Sequence, residues 1–111
     1  MQLDAVLITK DFTPAIEYVQ AERIRRQAMH AMAEQFENID FILGPSFAGC
    51  MLLITNNTGH PSLTIRAGFR ENGAPHGVTL IGNLFDEGTI CRVGMEMEKK
   101  LGVWDTRPKL G

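Results

Sequence analysis

Few side chains in this sequence could act as nucleophiles, and none has a base at a catalytic spacing. The 111 residues include two serines, Ser46 and Ser62. A serine hydroxyl is a weak nucleophile until a neighbouring base removes its proton. Ser46 follows a proline, Ser62 opens a predicted strand, and neither lies in a glycine-rich turn. The lysines stand at the ends of predicted elements, where a solvated ammonium is expected (Lys10, Lys99, Lys100, Lys109). The sequence therefore predicts no activated serine.

Metal-ligating residues are equally scattered. The histidines His30, His60 and His76 have neither H-x-x-x-H nor H-E-x-x-H spacing, and Cys50 and Cys91 form no C-x-x-C pair. Neither G-x-x-x-x-G-K nor G-x-G-x-x-G is present, so no phosphate loop is indicated. We expect no metal, no cofactor and two free, buried thiols.

Charge and hydropathy exclude several classes of partner. The net charge of −2 and the pI of about 5.9 give no general attraction to nucleic acid or to anionic membranes. Arg23, Arg25 and Arg26 form a basic cluster, but acidic residues flank it and no aromatic residues interleave it, which favours a solvated helix face. No apolar run of membrane-spanning length or secretory signal is evident. We expect a cytoplasmic protein that binds neither nucleic acid nor membrane.

The segment from Thr55 to Pro61 is the strongest candidate for ligand contact, and it has two interpretations. Thr55 and Asn56 could face a small molecule. Alternatively, Asn56 and Asn57 could bond the backbone of a tight loop, as asparagine commonly does.

The elements that position this segment follow from periodicity. A helix is predicted from Pro14 to about Phe36, with one stripe along Ala21, Ile24, Ala28, Ala31, Met32 and Gln35 or Phe36. A buried strand is predicted at Phe41 to Leu43. An antiparallel hairpin is predicted between Ser62 and Ile81, and a second helix from Asp86 to Leu101 ends at Gly102. The fold class is therefore α+β, an α/β layer of helix, strand, hairpin and helix.

These motifs, in this order, resemble the C-terminal portion of amidase-signature hydrolases. The matching features are T-N-x-x-G-x-P at Thr55, the hairpin with Gly68-Phe69, and Gly82 to Phe85 at its end. Ala15 to Arg26 resembles the preceding helix of the family, and Asp40 to Pro45 resembles its strand. The resemblance covers residues 13–108, with 1–12 as an N-terminal arm or edge strand and 109–111 as a tail.

The resemblance implies that this chain has part of the family's fold but lacks the part that carries the catalytic residues. These hydrolases use two serines and a lysine from segments that precede the matched region, and this chain has no counterpart to them. The resemblance also places the Thr55 segment beside the family's substrate pocket. We therefore expect no amidase activity from the chain alone, no catalytic residues, and Thr55 and Asn56 as the ligand-facing residues.

Three roles remain open from the sequence. The first is a non-catalytic, self-associating domain, most simply a twofold dimer, because a small piece of a larger sheet leaves open edges, which Ala5 to Ile8 could help to cap. The second is a small-ligand binding module that keeps part of the pocket. The third is one chain of a split amide hydrolase, completed in trans by a partner with the N-terminal half. A role as an enzyme that acts alone is the least favoured. The best candidates for its general base are His60, His76 and Asp86, and none of them is paired with a nucleophile in the sequence.

Overall fold

The computed structural model of the chain describes residues 13–46 and 49–108. These residues form three helices and three strands in mixed order. The elements are α1 (Ala15–Gln35), β1 (Phe41–Pro45), α2 (Met51–Thr58), β2 (Ser62–Phe69), β3 (Pro75–Gly82) and α3 (Glu87–Leu101). The predicted α+β fold is confirmed. The predicted arm at Ala5 to Ile8 and the tail at 109–111 lie outside the described residues.

The sheet is antiparallel, with β3 in the centre and the strand order β1-β3-β2. Thr64 pairs with Thr79 across the predicted hairpin, and Gly44 pairs with Thr79 from the other side. A register shift between Arg66 and Gly68 marks a bulge near the turn. Because side chains alternate along a strand, this register places Ser62, Thr64, Thr79 and Ile81 on one face and Leu63, Ile65 and Leu80 on the other.

Helix α3 covers the face that carries Leu63 and Ile65. A Cβ on Gly94 would come within 2.4 Å of Leu63 Cδ2, so the helix packs against β2 at a glycine. Ile90 is 2% exposed and Leu80 is 0% exposed. Burying each of these side chains contributes about 1.5–3 kcal/mol. Gly102 ends the helix in the left-handed conformation, as the sequence predicts.

Helix α1 packs against the opposite face through its C-terminal end only. Met32 and Phe36 are buried with Ile81, and Ile42, Met51 and Ile54 pack around them. The predicted stripe is correct at Met32 and Phe36 but wrong farther back, since Ile24 is 53% exposed. The apolar side chains of the N-terminal half of α1 are exposed in the described part of the chain, with Ile16 at 77% and Tyr18 at 62%.

Helix α2 is an element that the sequence patterns did not predict. Thr55, Asn56, Asn57 and Thr58 form its last turn, and Gly59 ends it with a φ of 83°. Asn57 Nδ2 donates to the carbonyl of Leu53 at 2.8 Å. The alternative of a tight loop at Asn56 and Asn57 is therefore wrong, because these residues bond within a helix.

Both cysteines are free, as expected, but Cys50 and Cys91 are exposed. The prediction that they are buried is therefore wrong. Cys50 immediately precedes α2, and Cys91 is an exposed residue of α3. Within the described ranges, no helix is both long and apolar enough to cross a membrane.

Candidate functional site

A cleft of about 420 Å³ opens on the sheet face that α3 does not cover. Its floor is the part of β2 and β3 that α1 leaves open, and α2 and the end of β1 form its side. Its apolar wall is made by Ile42, Pro45, Met51, Leu52, Pro75 and Ile81. A volume of this size is within the range of small-molecule sites in proteins. We call this space the cleft.

Three of the hydroxyl groups that line the cleft, on Ser46, Thr79 and Thr64, form a hydrogen-bonded row. Thr79 Oγ1 lies 2.8 Å from Thr64 Oγ1 and 3.3 Å from Ser46 Oγ. The strand register produces this row, because Thr64 and Thr79 are direct cross-strand partners. Ser46 is held beside them by its backbone N–H, which donates to the carbonyl of Gly77 at 3.2 Å. We call these three residues the hydroxyl row.

Gly77 keeps the hydroxyl row accessible. A Cβ at this position would approach Ser46 Oγ to 2.6 Å and Thr64 Cγ2 to 3.2 Å. A glycine is therefore required where the three strands bring these side chains together.

The structure separates the two predicted ligand residues. Thr55 lines the cleft and is 4% exposed, and its hydroxyl donates to the carbonyl of Leu52 at 3.2 Å. Asn56 is exposed on α2 and is not among the residues that line the cleft. The hydroxyl row was missed, because its members are far apart in the sequence and meet only through the strand register.

Serine and lysine do not meet in the described part of the chain. Ser46 contacts Thr79, and Ser62 lies on the same face of β2 as Thr64. Lys99 is on α3, across the sheet, where its ammonium pairs with Glu96 at 2.7 Å and its side chain is 63% exposed. A base within hydrogen-bond reach is the first requirement for activating a serine. The described geometry has hydroxyl groups without such a base.

His60 has a structural environment. Its ring stacks on Phe36 with centroids 5.2 Å apart, and its Nδ1 lies 2.8 Å from Thr58 Oγ1. The Thr58 hydroxyl donates to the carbonyl of Ile54, so it accepts from Nδ1–H, and Nε2 then carries a buried lone pair. Burial lowers the pKa of His60 below its usual value of 6.5. The neutral ring therefore helps to join α1, α2 and the start of β2.

The other titratable candidates are dispersed. His76 lines the cleft beside Pro75, whereas Asp86 precedes α3 and accepts from the hydroxyl of Thr89 at 2.8 Å. The described residues contain no group of three His, Cys, Asp or Glu side chains that could hold a metal ion.

The basic cluster on α1 serves packing through one of its members. Arg25 Nε donates to the carbonyl of Asn57 at 2.7 Å, and its guanidinium pairs with Glu22 at 3.0 Å. This contact joins α1 to the C-terminal end of α2, where the helix dipole favours a cation.

Comparison with curated proteins gives partial matches to larger enzymes, while no family model matches the chain. A glutamyl-tRNA(Gln) amidotransferase subunit of Prochlorococcus marinus is 26% identical over 83% of this chain and 23% of its own length. Its counterpart in Thioalkalivibrio sulfidiphilus is 31% identical over 73% of this chain and 20% of its own length. Fatty acid amide hydrolase of Medicago truncatula is 27% identical over 94% of this chain and 21% of its own length.

A solved structure shows the same fold. An amidase family protein from Bacillus anthracis str. Ames superposes with a TM-score of 0.78 and 21% identity, over 91% of this chain and 20% of that one. The chain thus spans about a fifth of the length of the relatives that it matches. The resemblance to one part of the amidase-signature enzymes is confirmed.

Proposed function

Because the chain matches one part of the amidase-signature enzymes, we propose that it is a non-catalytic unit of an amide-hydrolase type of fold. In this role it supplies one wall of a ligand cleft and no nucleophile. The observation that carries the proposal is a cleft with several hydroxyl groups and no lysine among its lining residues, in a chain whose relatives are amide-processing enzymes.

The test is amide hydrolysis by the purified chain. We expect no release of ammonia from benzamide above that of a heat-denatured control. Ammonia release that is abolished by Ser46→Ala would contradict the proposal, because it would show that Ser46 is activated by a group that the described geometry does not bring near it.

Self-association is part of the proposal. In the described sheet, β1 and β2 are both edge strands, and unpaired strand edges are normally covered. The exposed half of α1 adds apolar surface, with Ile16 77% and Tyr18 62% exposed. Both features favour a twofold dimer. Light scattering on the eluting peak of a size-exclusion column should give the mass of a dimer, and a monodisperse monomer at micromolar concentration would contradict this part.

A second candidate is one chain of a split amide hydrolase whose catalytic segment is on a partner chain. The match to amidotransferase subunits favours it. A binding module for a small molecule is compatible with both candidates, with Thr55 in the cleft wall and Asn56 outside it. A cytoplasmic location completes the proposal.

A further inference from the structure

We infer that Phe85 anchors the contact between two copies of this chain, by docking on the N-terminal half of α1 of the second copy. The contact is reciprocal, because in a twofold pair each chain contributes one phenylalanine and accepts the other. The inference deepens the self-association in the proposed function and rests on it. It names the two surfaces that meet, and it is drawn from a strained turn, an apolar patch and complementary charges.

The backbone of Phe85 is held in a conformation that its residue type disfavours. Its φ of 61° is in the left-handed region, and no other non-glycine residue has a positive φ in the part of the chain that the structure describes. Hydrogen bonds fix the turn around it. The N–H of Asp86 donates to the carbonyl of Asn83 at 3.1 Å, and the N–H of Leu84 donates to Oδ1 of Asn83 at 2.8 Å. Strained residues that the surrounding structure enforces are often functional.

The strain is not offset by packing within the described chain. Phe85 is 94% exposed, the highest value among the large apolar residues that the structure describes. Phe41 pairs with Gly82, so the residues before β1 and those after β3 leave the sheet at the same end. Ile39 is 42% exposed and Leu84 is 37% exposed at that end. We call Ile39, Leu84 and Phe85 the Phe85 patch. Clustered exposed apolar side chains of this kind mark interaction surfaces.

The Phe85 patch has acidic surroundings. Glu37 and Asp40 flank Ile39 in the sequence, and Glu87 follows Phe85 by two residues. All three carboxylates are on exposed residues, and none forms a salt bridge with another described residue. A surface that covers the patch should therefore be apolar where it meets the ring and basic beside it.

One side of α1 has this composition. Ile16, Val19, Arg23 and Arg26 follow each other at intervals of three or four residues, so they lie along one side of the helix. Ile16 is 77% exposed and Val19 is 51% exposed, and a surface hollow lies between them. Neither Arg23 nor Arg26 forms an ion pair within the described ranges. We call these four residues the outer stripe. It offers apolar contact and two unpaired cations to the acidic patch of a second copy.

The Phe85 patch and α1 are neighbours in the chain's fold. A Cβ on Gly59 would lie 3.8 Å from Leu84 Cδ2, and Arg25 bonds to the carbonyl of Asn57, two residues before that glycine. The outer stripe begins nine residues before Arg25, about 14 Å along the helix axis. A twofold interface uses one self-complementary region of each chain, so closeness of the two surfaces favours reciprocal docking.

The experiment measures dimer dissociation of the full chain by sedimentation velocity over a range of concentrations. We expect a dissociation constant below about 10 μM. Phe85→Asn removes the ring, and asparagine adopts the left-handed conformation readily, so the turn should persist. The dissociation constant should rise at least about tenfold, as for the loss of a central aromatic side chain. Trp104→Ala is the matched control, because Trp104 is 61% exposed and lies outside both surfaces. It should change the constant by less than about twofold.

Charge reversal identifies the second surface. The double variant Arg23→Glu with Arg26→Glu should weaken the dimer by at least about fivefold at low ionic strength. Adding Asp40→Lys and Glu87→Lys to it should restore most of the affinity, because opposite charges then face each other again. Weakening through a structural defect of α1 would not be restored in this way.

Each outcome decides the inference. A dimer whose dissociation constant is unchanged by a folded Phe85→Asn, or a charge reversal without restoration, overturns the docking of Phe85 on α1 and leaves self-association in place. A monomeric parent chain overturns both. Masses that grow beyond a dimer with concentration overturn the reciprocal form. If circular dichroism shows that Phe85→Asn does not fold, Val19→Asp at the exposed outer stripe replaces it, with the same expected loss.

Discussion

On one face of the sheet, α3 packs closely against Leu63 and Ile65. On the other face, α1 and α2 leave Thr64 and Thr79 open in a cleft. Thr79 and Leu80 are neighbours in β3, yet one is a cleft-lining hydroxyl and the other is completely buried. The difference shows how one strand provides stability on one face and leaves polar groups available on the other. The α3 face should therefore determine unfolding, and the cleft face should determine binding.

The largest expected effect separates these adjacent residues of β3. Leu80→Ala should lower the free energy of unfolding by about 2–5 kcal/mol, because it removes a fully buried side chain and leaves a cavity. Thr79→Val should change it by less than about 1.5 kcal/mol, since it removes hydrogen bonds at a partly accessible surface. Urea unfolding followed by circular dichroism measures both. Similar losses for the two variants would remove the distinction between the faces.

The second-largest expected effect tests how closely α3 packs against β2. Gly94→Ala places a Cβ against Leu63 and should destabilise the protein by about 1–3 kcal/mol. Gly88→Ala is the control in the same helix, because a Cβ there meets no atom within 4 Å. It should be neutral or stabilise by up to about 1 kcal/mol through helix propensity. If thermal unfolding shows both variants to be stabilised, α3 is not packed at Gly94 as described.

The pH dependence of stability should report on His60, at the junction of α1, α2 and the start of β2. His60 has a lowered pKa in the folded protein, so below pH 6.5 the unfolded chain binds a proton that the folded chain does not. The free energy of unfolding should therefore fall as the pH decreases through 6.5, by at most about 1.4 kcal/mol per pH unit. Above that pH, His60 should contribute no slope. Urea unfolding between about pH 5 and 8 measures the slope, and His60→Asn should reduce it.

The smallest effect concerns the link between α1 and α2. Arg25→Ala removes the hydrogen bond to the carbonyl of Asn57 and should lower the free energy of unfolding by about 0.5–1 kcal/mol, because the pair is largely exposed. Arg26→Ala, in the same helix but outside this contact, should have a smaller effect. Equal losses in urea unfolding would show that helix propensity, and not the link, accounts for the change.

The sequence predicts the covered face better than the cleft. The period of Ile90, Gly94 and Leu101 identifies α3, because packing and local propensity agree there. The sequence does not predict helix α2, because the composition of Asn56-Asn57-Thr58-Gly59 is typical of a turn. Only the hydrogen bonds in the structure show that this segment is helical up to Thr58. The exposure of Ile24 is also beyond sequence reasoning, since periodicity gives the apolar face of a helix but not the length over which that face is covered.

The cleft could be predicted only in part. The Thr55 segment, singled out from its resemblance to the amidase-signature pattern, does contribute Thr55 to the cleft wall. The hydroxyl row depends on the register of the hairpin and on the pairing of β1 with β3, which bring Ser46 to Thr79 across 33 positions of sequence. No local sequence pattern predicts that the side chains of Ser46 and Thr79 are in contact.

We propose that the hydroxyl groups of the cleft's described residues are not activated as nucleophiles. The most direct test is intact-mass spectrometry after incubation with a fluorophosphonate, a reagent that labels activated serines. We expect no added mass on Ser46 or Ser62. A stoichiometric adduct that maps to Ser46 and disappears in Ser46→Ala would contradict it and would identify the chain as a serine-dependent enzyme.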